Sequence, residues 1–313
     1  QPIRAQHVQQ VVAEKLGLDS RVTILGHVQR GGAPSALDRY LGTVQGVRAV
    51  NCLLEADPRT SPSLLVVKRE NRIDTEPLVE CVGRTRAAGV AMRECRFAEA
   101  FASRDPDFVA SFQLLQSLRL YDPDSMSPTP SGRTIAVVHC GAPCGGMNAA
   151  TWAIVYYCLF RGHRVLGVSN GFAGFAERDV RELQWRDVEG WMSRGGSDLG
   201  TNRSQPDEVG LVEIAEAVQE LAIDGLVIIG GFEAFTAQLA LTQSGNLILT
   251  RLAMVSLPAT ISNNVPGTEY SLGSDTALNA IINACDAIKQ SASSSRKRVF
   301  VVEVQGGQCG YLA

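Results

Sequence analysis

Ile135-Ala-Val-Val-His139, then Cys140-Gly-Ala-Pro-Cys-Gly-Gly146, then the stretch Met147 to Phe160 is the passage that decides the fold. A short apolar run without polar alternation is what a strand buried on both faces requires. The glycines after it allow a tight turn, and the segment beyond has the length and apolar content of a helix. The same pattern continues downstream. Val165-Leu-Gly-Val168 reads as a strand and Asp179 to Met192 as a helix. Val212 to Leu221, with apolar residues at Val212, Ala215, Val218 and then Ala222, reads as a helix feeding the strand Leu226-Val-Ile-Ile229. Gly230-Gly231 closes that strand and opens a helix near Glu233–Leu241. Ala253 to Leu257 is expected as a strand, Asp275 to Ser291 as a helix and Val299 to Val304 as a strand. Strands alternating with helices define an α/β protein with a parallel sheet covered on both faces.

The first third differs. Gln6 to Lys15 reads as a helix, Arg21 to Leu25 as a strand, Arg39 to Leu54 as a long helix and Leu64 to Lys68 as a strand, with helices to about Ser117. From Leu118 to Arg133 the chain carries three prolines among Ser, Asp and Gly, the composition of a connector without a core. Three units follow: residues 1–104, a connector at 105–133, and residues 134–313. The whole chain has 313 residues, 45% hydrophobic and 19% charged, enough to build a sizeable core. Its 29 basic and 32 acidic side chains leave a net charge of −3, which makes no case for a nucleic-acid or membrane partner. No apolar run nears the ~20 residues of a membrane span. Gln1 in place of Met, and a stop at Tyr311-Leu312-Ala313 just after a strand-like run, read as the ends of a segment of a longer polypeptide. The 8 cysteines lie mostly in apolar segments and read as reduced thiols of a cytoplasmic chain. Cys140 and Cys144 have no second Cys/His pair at metal-site spacing, so they read as small buried side chains and no metal site is expected.

Glycine-rich loops after strands are the places where an open α/β sheet binds ligands. Cys140–Gly146, Gly195-Gly-Ser-Asp-Leu-Gly-Thr201, Gly230-Gly231 and Gly306-Gly307 all occupy such positions, yet none is a dinucleotide fingerprint or a Walker A loop. Basic residues flank several of them. Arg203 follows the second loop, Arg298 precedes the last strand, and Arg21, His27 and Arg30 surround a strand end in the first third. Arginine binds phosphate through charge-assisted, often bidentate hydrogen bonds. Arg296 and Lys297 read as solvated charges, His139 and His163 as hydrogen-bonded structural residues, and Trp152, Trp185 and Trp191 as packing residues at helical positions.

Gly26-His-Val-Gln-Arg-Gly-Gly32, Pro258-Ala-Thr-Ile-Ser-Asn-Asn-Val-Pro-Gly267 and Glu303-Val-Gln-Gly-Gly-Gln-Cys-Gly-Tyr311 resemble the eukaryotic, fungal-like ATP-dependent 6-phosphofructokinases. The likeness extends over essentially the whole chain. It implies the three-layer parallel-sheet fold of that family, in two incomplete halves joined by a linker: the end of an N-terminal catalytic half and the start of a C-terminal regulatory half. It implies that Arg21, His27 and Arg30 hold fructose 6-phosphate. It further implies that Arg203, Thr260, Ile261, Ser262, Asn263, Asn264, Arg298, Gln305, Gly306 and Gly307 form an effector site for fructose 2,6-bisphosphate. The parent would use ATP and Mg²⁺ and assemble with its own remainder and other subunits as a tetramer or larger. This chain alone is expected to bind neither ATP nor metal.

The departures from the family's kinase pattern are chemical. In catalytic copies the segment matching Thr260–Asn264 carries two aspartates, the first being the base; here Ser262 and Asn264 stand there. A serine hydroxyl is no base near neutral pH, and an amide can neither take the proton nor balance a metal's charge. Phe232 stands where catalytic copies place an aspartate for Mg²⁺. Glu233 is one residue removed, a shift that redirects its side chain. Ala142-Pro143 likewise replaces a nearby aspartate. The second half is therefore expected to bind a sugar phosphate without turning it over. The alternative is a stand-alone sugar-phosphate sensing or interaction module.

Overall fold

The computed structural model describes residues 4–26, 28–57, 59–70, 72–104, 106–119, 132–294, 298–307 and 309–313. The first third contains helix α1 (Ala5–Leu16), helix α2 (Ala36–Glu55), strands β1 (Leu64–Arg69) and β2 (Arg72–Pro77), then helices α3 (Leu78–Arg93), α4 (Phe97–Ala102) and α5 (Pro106–Arg119). Ser35 caps α2 by accepting the Asp38 amide at 3.3 Å. β1 was expected; its partner was not. Arg72–Pro77, read from sequence as part of a helical region, pairs antiparallel with β1 from Leu64 opposite Pro77 to Arg69 opposite Arg72. The segment expected as connector starts with α5, whose Phe108 and Phe112, one turn apart, meet Phe101 of α4 with tilted rings at 6.0 and 4.9 Å. The rest of that connector up to residue 131 lies outside the described residues.

The second unit is the doubly covered sheet. Its elements are β3 (Thr134–Cys140), α6 (Met147–Phe160), β4 (Arg164–Val168), α7 (Gly171–Ala176), β5 (Val180–Glu182), α8 (Pro206–Val209), α9 (Leu211–Glu220), β6 (Gly225–Gly230), α10 (Phe232–Gln243), α11 (Leu247–Arg251), β7 (Ala253–Pro258) and α12 (Ser274–Ser294). The strand order is β5-β4-β3-β6-β7, parallel except for β5. Alternation along β3 sends Ala136 and Val138 to one face, among Phe172, Ile214 and Leu241, and Val137 to the other, among Met147, Val155 and Leu183. Both faces are thus dry, which is why the strands read as unbroken apolar runs.

Three strand or helix expectations fail for identifiable reasons. Asp179–Met192 is not a helix. Val180–Glu182 pairs with the open edge of β4, Leu183 donates its amide to the Val165 carbonyl, and Trp191 begins a short 3-10 turn. Leu183, Val188 and Trp191 bury at spacings of five and three, which a helix face does not provide. Arg21–Leu25 and Val299–Val304 form no ladder among the described residues. Val299 and Val301 are 88% and 93% exposed, against 45% and 44% for Phe300 and Val302. The run keeps the alternation of a strand while its backbone joins no ladder among the described residues.

The first third meets the sheet-bearing part where α2 packs on α12. Asn279 accepts the Ala36 amide at 2.9 Å, and Arg39 grips Asp286 with both terminal nitrogens at 2.6 and 3.2 Å.

The chain leaves β3 for β4 on one side and returns to β6 on the other, so the order of the sheet reverses between β3 and β6. Cys140 and Gly230 are register partners at that point. A Cβ on Gly230 would fall inside contact distance of the Cys140 carbonyl, a backbone atom with no freedom to move. Gly230→Ala is therefore expected to destabilise the fold by about 3 kcal/mol, read from urea unfolding. A near-neutral change would show that the two strand ends are not this close.

Candidate functional site

The crevice beyond the carboxyl ends of β3, β6 and β7 is built from loops that interlock through backbone. Gly141, at φ 90°, donates its amide to the Asn202 carbonyl at 2.7 Å, and Thr201 Oγ1 donates to the Gly141 carbonyl at 2.9 Å. Asn202 is itself tied to the β4–α7 turn, its Nδ2 donating to the Asn170 carbonyl at 2.6 Å. These bonds place Arg203 at the mouth, 75% exposed, with Nε 3.9 Å from Glu233 Oε1. Glu233 also lies over Gly141, where a Cβ would sit 3.1 Å from Oε2. Gly145 approaches Thr276 on the first turn of α12, and Gly231 approaches Thr260. Three helices, α6, α10 and α12, thus begin at the crevice, and helix starts present free amides and a positive dipole end.

The segment after β7 supplies the floor. Thr260 donates its amide to the Leu272 carbonyl at 2.9 Å, and its Oγ1 accepts the Ser262 amide at 3.2 Å. Ser262 is buried while Asn264 is exposed. Gly307 comes close to both: a Cβ there would lie 2.8 Å from Ser262 Oγ and 3.7 Å from Asn264 Nδ2. The two distant motifs, 260–264 and 305–307, therefore form one surface. Asn263 has a different task. At φ 48° it donates Nδ2 to the Glu269 carbonyl at 3.0 Å and accepts the Ser271 amide at 2.8 Å, closing its own loop. Ile261 packs on the core. Gln305 and Arg298 are exposed, Arg298 at the start of the extended run that leads to Gln305. In the first third Arg21 is exposed and 3.7 Å from Asp19, and Arg30 is exposed on a 3-10 turn. His27 lies outside the described residues.

The chemistry of the crevice is neutral polar with one opposed charge pair. Burial, helped by the nearby Glu233 carboxylate, pushes the Cys140 thiol up to about 12, and burial alone pushes Cys144 to about 11. Both stay protonated at neutral pH, so neither is a nucleophile or a thiolate ligand. Magnesium is usually held by one or two carboxylates together with substrate phosphates and waters. The crevice offers Glu233, already facing Arg203, while Phe232 is a 57% exposed phenyl ring. Among the described residues no group of three or more His, Cys, Asp or Glu side chains gathers as a metal site.

Sequence reasoning missed the supports behind the mouth. His139 is fully buried at the end of β3, its Nδ1 2.7 Å from Ser197 Oγ and its Nε2 2.8 Å from Thr151 Oγ1. Its placement as a hydrogen-bonded structural residue agrees with the expectation; its partners lay beyond any linear motif. Asn148, also fully buried, donates Nδ2 to the Gly195 carbonyl at 3.2 Å and to Asp198 Oδ1 at 3.1 Å, and accepts the Asp198 amide at 2.7 Å.

An open α/β sheet with a glycine-lined crevice at its switch point defines the class. Within it the chain belongs to the phosphofructokinase family, whose model matches residues 2–53 and 134–313. It is 48% identical to the ATP-dependent 6-phosphofructokinase subunit beta of Kluyveromyces lactis, over all of this chain and 34% of that protein. It is 49% identical to the subunit alpha of Candida albicans, over all of this chain and 32% of that one. The solved phosphofructokinase of Saccharomyces cerevisiae superposes on the whole chain with a TM-score of 0.94 at 47% identity, the match spanning 41% of that chain. That of Pichia pastoris in the T-state gives 0.92 at 50% identity, over 33% of its chain. The chain spans about a third of the curated relatives it matches.

Burial holds the His139 imidazole down at about 4, from an ordinary 6.5, against the opposing pull of Asp198. Unfolded, it takes up a proton as pH falls through 6.5; folded, it resists until about 4. The stability from this group is complete above 6.5 and is lost between 6.5 and 4, on the order of 3 kcal/mol in all. Urea unfolding at pH 7 and pH 4.5 is expected to show a smaller acid loss in His139→Leu than in the parent chain. Equal losses would mean that His139 is not the group being protonated.

Proposed function

We propose that the chain is a segment of an ATP-dependent 6-phosphofructokinase, and that residues 134–313 bind a sugar bisphosphate, fructose 2,6-bisphosphate, as an effector without catalysis. The observation that carries this reading is the joined surface of Thr260, Ser262, Asn264 and Gly307, with Arg203 across the mouth. Two phosphates need positive poles and the sugar between them needs neutral donors and acceptors. Arg203 and the helix starts serve one phosphate; Arg298 is assigned to the other. The hydroxyls of Thr260 and Ser262, the side-chain amide of Asn264 and the amides of 305–307 are assigned to the sugar.

Phosphoryl transfer demands a base for the attacking hydroxyl and charge to neutralise the nucleotide. Ser262 and Asn264 supply neither, so an anionic sugar bound here stays intact. In the parent, fructose 6-phosphate is assigned to Arg21, His27 and Arg30, while ATP and Mg²⁺ bind outside the residues described. The parent is a glycolytic, cytoplasmic transferase that assembles with other subunits. Its regulation follows if the bisphosphate prefers the assembly state in which Arg203 and Arg298 converge.

Calorimetric titration of the chain with fructose 2,6-bisphosphate checks this. Saturable binding is expected, weakened at least about tenfold in Arg203→Ala, Arg298→Ala through loss of charge-assisted bonds, with no heat from MgATP. Binding unaffected by the two substitutions would contradict the site. Absence of binding to the folded chain would remove the reading as a self-sufficient sensor module.

A further inference from the structure

We infer that His139, seconded by Asn148, is a positioning residue for the effector pole: its neutral imidazole, protonated on Nε2, holds Ser197 and so sets the course of the loop that carries Arg203. The inference deepens the effector-site reading and rests on it for the role of Arg203.

The Nε2–H tautomer is the one that matches a Thr151 hydroxyl donating to the Met147 carbonyl. Thr151 has one hydroxyl hydrogen, and it is donated to the Met147 carbonyl at 3.1 Å. Toward His139 Nε2, 2.8 Å away, Thr151 Oγ1 can therefore only accept, so Nε2 carries the ring hydrogen. The neutral ring then leaves Nδ1 bare, and Ser197 donates to it across 2.7 Å. A chain of directed bonds runs from α6, Met147 and Thr151, through the end of β3 to the loop.

The loop needs such direction. Gly195, Gly196 and Gly200 give 195–201 wide backbone freedom, and Gly196 and Gly200 use it at φ 76° and 78°. Two buried side chains restrict that freedom. Asn148 holds Gly195 and both the amide and carboxylate of Asp198, while His139 holds Ser197 between them. Past this clamp, Leu199 is buried and its carbonyl accepts the Asn170 amide at 3.0 Å. Asn202 then docks on Gly141, and Arg203 emerges at the mouth facing Glu233. Among the described residues His139 is the one buried imidazole, and an apolar side chain would fill the same core position without the desolvation of a polar ring. What the imidazole adds is a directed bond to the loop.

The test uses Ser197→Ala, which deletes the loop-side bond alone, Ser197→Thr, which restores a hydroxyl, and Ser193→Ala as an exposed control. Thr151→Val is the second variant, removing the acceptor for Nε2 from the far side. In ¹⁵N-histidine-labelled chain, long-range correlation spectra are expected to show Nε2–H with bare Nδ1 for the signal lost in His139→Leu. Amide exchange across 195–201 is expected to quicken about tenfold in Ser197→Ala and in Thr151→Val, the worth of roughly one buried hydrogen bond. Fructose 2,6-bisphosphate affinity is expected to fall by a similar factor in both, to recover in Ser197→Thr and to be unmoved in Ser193→Ala. An Nδ1–H tautomer, or exchange at 195–201 unchanged by Ser197→Ala, would overturn the inference. If the parent chain binds no bisphosphate, the effector-site reading fails and with it the role given to Arg203. The tautomer and exchange results would then still decide whether His139 positions the loop.

Discussion

Cys140 and Gly230 end neighbouring parallel strands with no room for a side chain between them, and most of the molecule's organisation follows from that approach. Because the chain crosses to β4 on one side and comes back to β6 on the other, the connections diverge above this pair and leave a crevice. Gly141 and Gly231 carry the backbone into it, and three helices start at its edge. The apolar clusters on either face hold the sheet; the absence of a Cβ at one position lets its strand ends define a mouth.

The site around that mouth is polar by design of its side chains and poor in carboxylates. Glu233 is its acidic group and is matched by Arg203. Thiols that in another setting would invite metal or nucleophilic chemistry are held protonated by burial. Under the proposed reading, such a surface recognises an anion with hydroxyls and has no base to move a proton from one. In that reading, recognition and turnover are separable because they use different residue types at adjacent positions. Thr260 and Gly307 approach the floor through shape, whereas a kinase site at Ser262 and Asn264 would require charge.

Much of residues 134–258 could be read from the chain directly. Strands buried on both faces leave unbroken apolar runs, and helices between them have the length to cross over, so Ile135–His139, Met147–Phe160 and Leu226–Ile229 were legible almost to the residue. The misreadings occur where tertiary pairing overrides local pattern. Val180–Glu182 is drawn to the free edge of β4, and Arg72–Pro77 folds back on β1. Arg21–Leu25 and Val299–Val304 carry strand composition without a ladder, which no local pattern can reveal. In the site, the motifs brought 260–264 and 305–307 to notice, and the structure joins them. Asn263 carries the same motif yet spends both ends of its amide on its own loop. His139 and Asn148 were the least legible, since their meaning lies in partners some 50 residues away.

The central claim is that one crevice answers to a sugar bisphosphate and not to a metal–nucleotide. Hydrogen–deuterium exchange of the whole chain, with fructose 2,6-bisphosphate and separately with MgATP, tests it most directly. The account predicts slowed exchange at 195–203, 260–264 and 305–307 with the bisphosphate, and no change at those segments with MgATP. Protection of the same segments by MgATP, or bisphosphate protection confined to other parts of the chain, would contradict it.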